Sequence, residues 1–382
     1  MMSPRFLLAL HPDGPLLVRL VTPRLLRWIV VSAAVALPVT VSPPASAVTW
    51  MVLPDGTGDA PTIAAALGSA AAGDTVLVAC GTYPEHDLVM DRDIVLRGQS
   101  GAADCVTVDA RQLGRGILCL GVTAAAAVEG ITFANGLVTG TCPDDPGTGN
   151  YCMGGGMLCL SASPRVTACA FVGNRADDNG GGVSAVNSSV TFTDCEFRDN
   201  VSWVGAGLLT GFPPGSAVLT GCVFTGNEAA ADGGAVYAFG TALSLSECTL
   251  SGNSAGECGG GVFWISPDVL TIHRTIIAFS GGGEAVACGI GATAPVLTCS
   301  DLHGNAGGDW TGCIAAAEDA EGNLSADPRF CGEELTLDAS SPCAGGVSAC
   351  GRIGAEGVGC SAVGVEAELA PVSWGRVKSG YR

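Results

Sequence analysis

The sequence predicts an all-β protein, a right-handed parallel β-helix with about 26 residues per coil and a short capping α-helix at its N-terminal end. A cysteine recurs at intervals of 26, 27 and 26 residues, at Cys169, Cys195, Cys222 and Cys248. Glycine-rich turns recur out of phase with it, and stretches such as 190–192 alternate between apolar and polar residues. Glycine accounts for 57 of 382 residues, which argues against a helical solenoid.

Two further positions of the repeat carry an apolar side chain and an amide. The apolar members are Phe171, Phe197, Phe224, Leu250, Ile276 and Leu302, and the amide members are Asn174, Asn200, Asn227, Asn253 and Asn305. Parallel coils stacked about 4.8 Å apart place each side chain over its counterpart in the next coil. We therefore expect Cys195 and Phe197 to point into the core. Asn200 should occupy a corner, in a left-handed or turn conformation, and bond its neighbours in adjacent coils.

The strands that follow the glycine turns predict a ligand-binding face. Because side chains alternate along a strand, one residue of each strand should point inward and the next outward. The outward set is Leu158, Ser184, Leu209, Tyr237 and Phe263. These strands carry no charge, and an exposed apolar strip needs a cover. The cover is internal, from a neighbouring loop or the C-terminal tail, or it is an external ligand. An external ligand would be bound by Ser184, Leu209, Tyr237 and Phe263, and the aromatic rings of Tyr237 and Phe263 suit a sugar or an apolar partner.

The N-terminal 47 residues have the pattern of a cleaved signal peptide. Arg19, Arg24 and Arg27 precede an apolar stretch at 28–41, and residues 45–47 form a small-x-small cleavage site. An uncleaved signal anchor is the alternative, although the stretch is short for a membrane span. We expect an exported chain, secreted or at the cell surface, with no membrane span in its mature form.

The rest of the chain divides into a β-helix domain at 48–360 and a tail at 361–382. The domain has an N-terminal cap at about 50–75 and a disulfide-rich C-terminal end at about 310–360. Residues 1–47 carry four of the 17 basic and one of the 36 acidic side chains, which leaves a formal charge of −22 on the remainder. Such a surface repels nucleic acid, so no nucleic-acid partner is expected.

All 18 cysteines lie beyond the predicted signal peptide, in a chain expected to reach an oxidising compartment. The four at the repeat position should be buried free thiols, because stacked Cβ atoms about 4.8 Å apart exceed the usual separation in a disulfide. A zinc site is the alternative for them. Among the other cysteines, the predicted bridges are Cys80–Cys105, Cys142–Cys152 and some pairing among Cys313, Cys331, Cys343, Cys350 and Cys360.

A short helix starting at Pro61 and leading into a strand at 75–79 would cover the open end of the coil. This cap resembles those of the pectin-lyase-like superfamily of right-handed β-helices, and the resemblance extends over most of residues 50–345. It implies the fold.

The repeats carry a second, narrower resemblance. Gly-Gly-Ala-Val at 233–236 and the Phe-x-x-Asn segments beginning at Phe171, Phe197 and Phe224 resemble the repeats of chlamydial-type polymorphic outer membrane proteins. That family implies a rod displayed at a cell surface, often with an adhesive role. The tail at 361–382 is similar to C-terminal sorting segments of secreted bacterial proteins, with a plain frayed terminus as the alternative.

The catalytic motifs that the pectin-lyase-like resemblance implies are incomplete. The Arg-x-Lys pair expected of a polygalacturonase occurs at Arg376 to Lys378, in the tail, and the glutamines expected of a pectin methylesterase, Gln99 and Gln112, are in no such motif. The remaining candidates are Asp177, Asp178 and Arg198 for a lyase-type site, and Asp177, Asp178 and Asp199 for calcium, which takes six to eight oxygen ligands. A solvated acidic loop is the alternative for these carboxylates.

These observations favour an exported bacterial β-helix protein with a structural, adhesive, glycan-binding or protein-binding role. No catalytic residue is assigned, and no cofactor is expected, with calcium as the one candidate. The partner would be a glycan or a protein surface. The alternative is a polysaccharide lyase or hydrolase of the pectate-lyase-like type, acting on acidic or neutral glycans.

Overall fold

A computed structural model of the chain describes residues 46–140, 142, 151–332, 334–345 and 350–360. Over these residues the chain forms the predicted right-handed parallel β-helix. The predicted signal peptide up to residue 45 and the predicted tail at 361–382 lie outside them. Within the described ranges, no helix is both long enough and apolar enough to cross a bilayer.

Each complete coil passes through four parallel sheets in the order A, B, D and C. Sheet A consists of Thr49–Val52, Thr75–Val78, Val95–Gly98, Ala127–Glu129, Arg165–Thr167, Ser189–Thr193, Ser216–Thr220, Ala242–Ser246, Leu270–His273 and Val296–Thr298. Sheet B consists of Gly81–Tyr83, Val106–Asp109, Thr132–Ala134, Ala170–Val172, Glu196–Arg198, Val223–Thr225, Thr249–Ser251, Ile276–Ala278 and Asp301–His303.

The short sheet D lies at the corner between sheets B and C. It consists of Leu137–Val138, Arg175–Ala176, Val201–Ser202, Glu228–Ala229 and Ser254–Ala255. Sheet C consists of Leu88–Met90, Ile117–Leu120, Met157–Leu160, Val183–Val186, Leu208–Gly211, Val236–Phe239, Val262–Ile265 and Val286–Cys288. The alternation of side chains sends one face of each sheet into a single continuous core.

The core contains the predicted column of stacked aromatic rings. Phe133, Phe171, Phe197 and Phe224 follow one another with ring centroids 5.7, 5.2 and 4.2 Å apart, and all four are fully buried. The column then continues through Leu250, Ile277 and Leu302. The prediction of Ile276 at this position was wrong, because one longer coil shifts the register by a residue. Ile276 instead faces outward, where another part of the chain covers it.

The asparagine column occupies the corner after sheet B. Asn200 donates through Nδ2 to the carbonyl oxygen of Phe171 and to Oδ1 of Asn227, both at 2.9 Å, and is fully buried. These bonds between coils confirm the predicted role. The left-handed conformation belongs to the preceding residue, Asp199, with φ of 55°.

A helix at Ile63–Ser69 covers the N-terminal end of the coil, as predicted. Thr62 is its N-cap and accepts a hydrogen bond from the backbone N–H of Ala65 at 3.0 Å. The carboxylate of Glu85 accepts from the first two N–H groups of the helix at 2.9 Å, so donors without an intrahelical partner are satisfied. Ile63 and Leu67 contribute their side chains to the core.

After the last coils the chain folds back as a C-terminal lobe, described at residues 327–332, 334–345 and 350–360. A 3-10 helix at Gly312–Ala317 precedes it, and the lobe contains the strands Phe330–Cys331, Thr336–Asp338 and Val358–Cys360. The first two strands pair antiparallel and the last two parallel. Leu337, Cys343 and Ile353 form a small second core with the outward-facing Ile276 and Ala278 of sheet B. The lobe therefore covers the C-terminal part of the outer face of sheet B.

Disulfide bridges tie neighbouring coils together and fasten the lobe. Within the described residues they are Cys80–Cys105, Cys142–Cys152, Cys288–Cys313, Cys299–Cys350 and Cys331–Cys360. The first two confirm the predictions. Of the five cysteines expected to pair among themselves, only Cys331 and Cys360 do so, because Cys313 and Cys350 reach back to earlier coils and Cys343 is a buried free thiol.

The cysteines of the repeat position are buried free thiols, as predicted. Cys195 donates through Sγ to the carbonyl oxygens of Thr193 at 3.3 Å and Val166 at 3.5 Å. Burial raises the pKa of Cys169 to about 12. These thiols act as small core side chains rather than as nucleophiles.

Candidate functional site

The predicted ligand-binding face on sheet C is largely covered by the protein itself. Ser184 is fully buried and Leu209 is 3% exposed, so the expectation that these two side chains are accessible was wrong. Their outward orientation was predicted correctly, because the neighbouring Val183 and Leu208 lie in the core. Ser184 and Leu209 are therefore not accessible to an external ligand in this structure.

The cover comes from the glycine turns. Gly180 and Gly205 have φ of 62° and lie directly over the outer face of the strands that follow them. A Cβ added at Gly180 would lie 2.9 Å from Cβ of Ser184, and one added at Gly205 would lie 2.9 Å from Cβ of Tyr237. Glycine is thus needed here both for the conformation and for the close approach.

Tyr237 and Phe263 remain half-buried at the C-terminal end of this strip. Their rings stack in parallel, with centroids 5.2 Å apart and an interplanar angle of 11°. At the other end, Met153 packs with Leu158 and Leu160 in a separate apolar cluster outside the sheet. The strip is thus closed internally over most of its length and accessible only around the Tyr237–Phe263 pair.

The predicted carboxylate candidates lie at two different corners. Asp177 and Asp178 follow sheet D and hold a neighbouring loop: Asp177 accepts from the N–H of Gly140 at 2.8 Å, and Asp178 accepts from that of Cys152 at 2.6 Å. Asp199 is exposed at the turn before sheet D. Across the described residues, no three His, Cys, Asp or Glu side chains are placed so that they could hold a metal ion.

Arg198 lies in a different place, in a groove on the outer face of sheet B. The groove has a volume of about 1040 Å³. Its floor consists of the outward-facing side chains Thr107, Thr132, Ala134, Ala170, Val172, Glu196, Arg198, Val223 and Thr225. These belong to five successive strands, so the floor extends for about 19 Å along the helix axis.

The C-terminal lobe forms the end wall of this groove. Cys331, Glu334, Leu335 and Glu356 line it from the lobe side. The lobe is held there by the Cys299–Cys350 bridge and by an ion pair of 3.6 Å between Arg352 and Glu247. The backbone N–H of Ala355 also donates to Oγ1 of Thr249 at 3.0 Å.

Charge in the groove is mainly negative. Nε of Arg198 lies 2.9 Å from Oε1 of Glu196, and its Nη1 lies 4.0 Å from Oδ2 of Asp199, so the one guanidinium of the lining already has carboxylate partners. Asp194 lies at the rim, where partial desolvation raises the pKa of its carboxyl. Arg352 opposes this shift, and Glu247 adds to it.

Sequence reasoning found Arg198 but missed the groove. Seven of the nine floor residues are Thr, Ala or Val, which carry no signal of a site in the sequence, and the wall comes from residues more than 100 positions further along the chain. The one available signal was the alternation within sheet B, which assigns Thr132, Val172 and Thr225 to the outer face.

The stacking of sheets A, B and C identifies the architecture. The chain is a right-handed parallel β-helix. Similar solved structures include the pectin methylesterase of Aspergillus niger, with a TM-score of 0.42 and 15% identity over 75% of this chain and 92% of that one. The pectin methylesterase of Erwinia chrysanthemi has a TM-score of 0.39 and 13% identity over 72% of this chain and 96% of its own. The pectate lyase Pel9A has a TM-score of 0.38 and 16% identity over 68% of this chain and 64% of that one.

Residues 221–238 match the Chlamydia polymorphic membrane protein repeat, in agreement with the resemblance seen in the sequence. They include Phe224 of the aromatic column, Asn227 of the asparagine column and the glycine turn at 233–234. No curated protein matches the chain.

Proposed function

We propose that the protein is an exported or surface-displayed β-helix that binds a glycan chain in the sheet B groove. The observation that carries the proposal is the groove itself, since a large concave surface is the default location of a ligand site. Export is supported by the disulfide bridges, because such bridges persist in oxidising compartments.

The geometry of the groove suits a linear polymer. The floor runs along the helix axis, so successive coils offer equivalent positions at intervals of about 4.8 Å. Thr107 and Thr225 provide hydroxyl groups that both donate and accept hydrogen bonds, whereas Oγ1 of Thr132 donates to the carbonyl oxygen of Ala103 at 2.7 Å and can accept from a ligand. A chain of sugar units can therefore lie along the axis and contact the strands of successive coils, although the side chains differ from coil to coil.

Filling the groove tests this proposal. Val172 faces outward from the floor, so Val172→Trp should obstruct the groove without disturbing the core. Val218 faces outward from sheet A and is 41% exposed, which makes Val218→Trp the matched control. In pull-down with a panel of neutral, basic and acidic polysaccharides, the unmodified chain should be retained by at least one of them.

Retention by that polysaccharide should fall about tenfold in Val172→Trp, equivalent to about 1.4 kcal/mol, and persist in Val218→Trp. Retention by no polysaccharide, or equal retention of the two variants, would contradict glycan binding in the groove.

One observation favours a second candidate, hydrolysis of the bound glycan. Glycosidases use a carboxylic acid of raised pKa beside a second carboxylate, and the raised pKa of Asp194 occurs in a groove that also contains Glu196. Release of reducing ends from the retained polysaccharide, abolished by Asp194→Asn, would establish this activity. Binding without release would leave the protein a binding module.

A further inference from the structure

We propose that the groove selects a cationic glycan, a polymer of 2-amino sugars that carries free ammonium groups. This inference rests on the proposed function, because it names the class of glycan that the sheet B groove takes. It follows from the charge of the lining, from the chemistry of the floor and from the pairing of the strands beneath it.

The lining has a large excess of negative charge. Among the described residues of the lining, the ionisable side chains are one guanidinium and five carboxylates: Arg198, Asp104, Asp194, Glu196, Glu334 and Glu356. Arg198 and Glu196 pair with each other at 2.9 Å, which leaves an excess of four carboxylates in the lining. A polyanion such as polygalacturonate would place its carboxylates beside those of the groove, whereas ammonium groups would be attracted.

The carboxylates lie at several points around the groove rather than in a single cluster. Asp104 borders it at the coil of Val106–Asp109, Asp194 lies at the turn before Glu196–Arg198, and Glu334 and Glu356 stand on the wall built by the C-terminal lobe. A ligand with one charge could satisfy only part of this set. A polymer with a charge on each unit could meet carboxylates along the length of the groove.

The floor cannot supply affinity by ring stacking. Among the described residues that line the groove, none is aromatic. A neutral glycan often gains much of its binding energy from aromatic faces, so here the contacts left to it would be hydroxyl hydrogen bonds and shallow aliphatic contacts. Ionic contacts with ammonium groups would add what stacking does not provide, which favours a charged over a neutral sugar polymer.

The paired strands of the floor argue against a basic peptide. Peptides often bind to a sheet by adding a strand to an unpaired edge. The strands Thr132–Ala134, Ala170–Val172 and Glu196–Arg198 are each hydrogen-bonded on both sides within sheet B, so the floor offers side chains and no backbone edge. A basic peptide would have to bind through its side chains alone.

A matched pair of ligands tests the selection. The probes are an oligomer of glucosamine and the same oligomer fully N-acetylated, with polygalacturonate as the anionic comparison. Calorimetry on the full chain should show at least about tenfold tighter binding of the free amine form than of the acetylated form. Added salt should weaken binding of the amine form more than binding of the acetylated form.

Removal of two groove charges should reduce this preference. Asp194→Asn combined with Glu334→Gln should weaken binding of the amine oligomer about tenfold and weaken binding of the acetylated oligomer less, so that the ratio of the two affinities falls. Glu228→Gln combined with Glu318→Gln is the control, because it removes two exposed acidic charges outside the groove and should preserve the preference.

The outcomes separate this inference from the proposed function. Equal affinity for the two oligomers, lost in Val172→Trp, would overturn the cationic selection and leave glycan binding standing. No binding of any glycan, or binding insensitive to Val172→Trp, would overturn both. Binding of polylysine that Val172→Trp abolishes, without binding of glucosamine oligomers, would show that the groove takes a basic peptide instead.

Discussion

Phe224 stacks face to face on Phe197, with ring centroids 4.2 Å apart, and has no exposed surface. Replacement by alanine removes this ring and leaves a cavity, because the coils above and below cannot move together to fill the space. We expect Phe224→Ala to lower the free energy of unfolding by about 3–5 kcal/mol. Reversible denaturation measures this, with Val218→Ala as an exposed control. A decrease in the free energy of unfolding below about 1 kcal/mol would show that the ring of Phe224 is not packed in the core as described.

Asp301 predicts a dependence of stability on pH. It is fully buried between sheet B and the lobe, where it accepts hydrogen bonds from the N–H of Ala326 at 2.9 Å and from Sγ of Cys343 at 3.1 Å. Desolvation raises its pKa from 3.8 to about 6, against these bonds and the charge of His303. The folded chain therefore binds this proton more tightly than the unfolded chain.

Because the folded pKa is the higher one, ionised Asp301 destabilises the fold. The cost is absent below pH 3.8, grows as the pH rises and is complete above about pH 6. We expect Asp301→Asn to remove this contribution and to raise the melting temperature at neutral pH relative to the unmodified chain. Melting curves between pH 4 and 7.5 measure the difference. Parallel profiles for the two proteins would contradict the assignment.

At the scale of the element, the sequence predicted the positions that recur once per coil, but it did not predict which segments cover the outer face of a strand. The columns through Phe197, Asn200 and Cys195 were predictable because each position recurs once per coil. Exposure of Ser184 was mispredicted, because period two gives the direction of a side chain and not what lies over it. The glycine turns that cover this strip were visible in the sequence, but their approach to the strand depends on three-dimensional geometry.

The stacked pair Tyr237 and Phe263 gives a prediction for this strip. Both rings are half-buried, and the turns at Gly205 and Gly233 pack closely against Tyr237. We expect Tyr237→Ser combined with Phe263→Ser to lower the melting temperature by several degrees, since each ring contributes about 1–2 kcal/mol by burial. Phe239→Ser is the control, because Phe239 faces the same way and is 39% exposed.

The alternative for this pair is a second recognition surface. Unchanged melting together with lost attachment of the double variant to glycan or cell surfaces would show that the two rings contact a partner directly. In that case Val172→Trp, in the groove, should leave that attachment intact.

At the scale of the whole molecule, the C-terminal lobe was the least predictable part. Residues 327–360 depart from the period, so no register predicted where they would lie. Cys80–Cys105 could be predicted because its cysteines are one coil apart, whereas Cys299–Cys350 joins a coil to the lobe across 51 residues. The groove forms where the regular coils of sheet B meet the C-terminal lobe. Patterns within the repeats alone, or within the lobe alone, therefore did not predict it.

Polygalacturonate provides a test of the molecule as a whole. The acidic groove and the separation of Asp177 and Asp178 from Arg198 predict that the purified chain forms no unsaturated product from it, with or without calcium. Ultraviolet absorbance of such products is the measurement. Product formation that disappears in Asp177→Ala or Arg198→Ala would establish a lyase and displace the binding proposal.

Because the coils beneath the groove are stacked, the length of the groove changes in steps of one coil. Each coil adds one strand to the floor and moves the lobe about 4.8 Å further along the axis, so the length of the proposed glycan that fits would increase by one step per coil. Duplication of a single 26-residue unit would lengthen the footprint by one such step while leaving both ends of the molecule unchanged. Variants of this chain with one coil more or one coil fewer should then differ in the length of oligomer that they bind best.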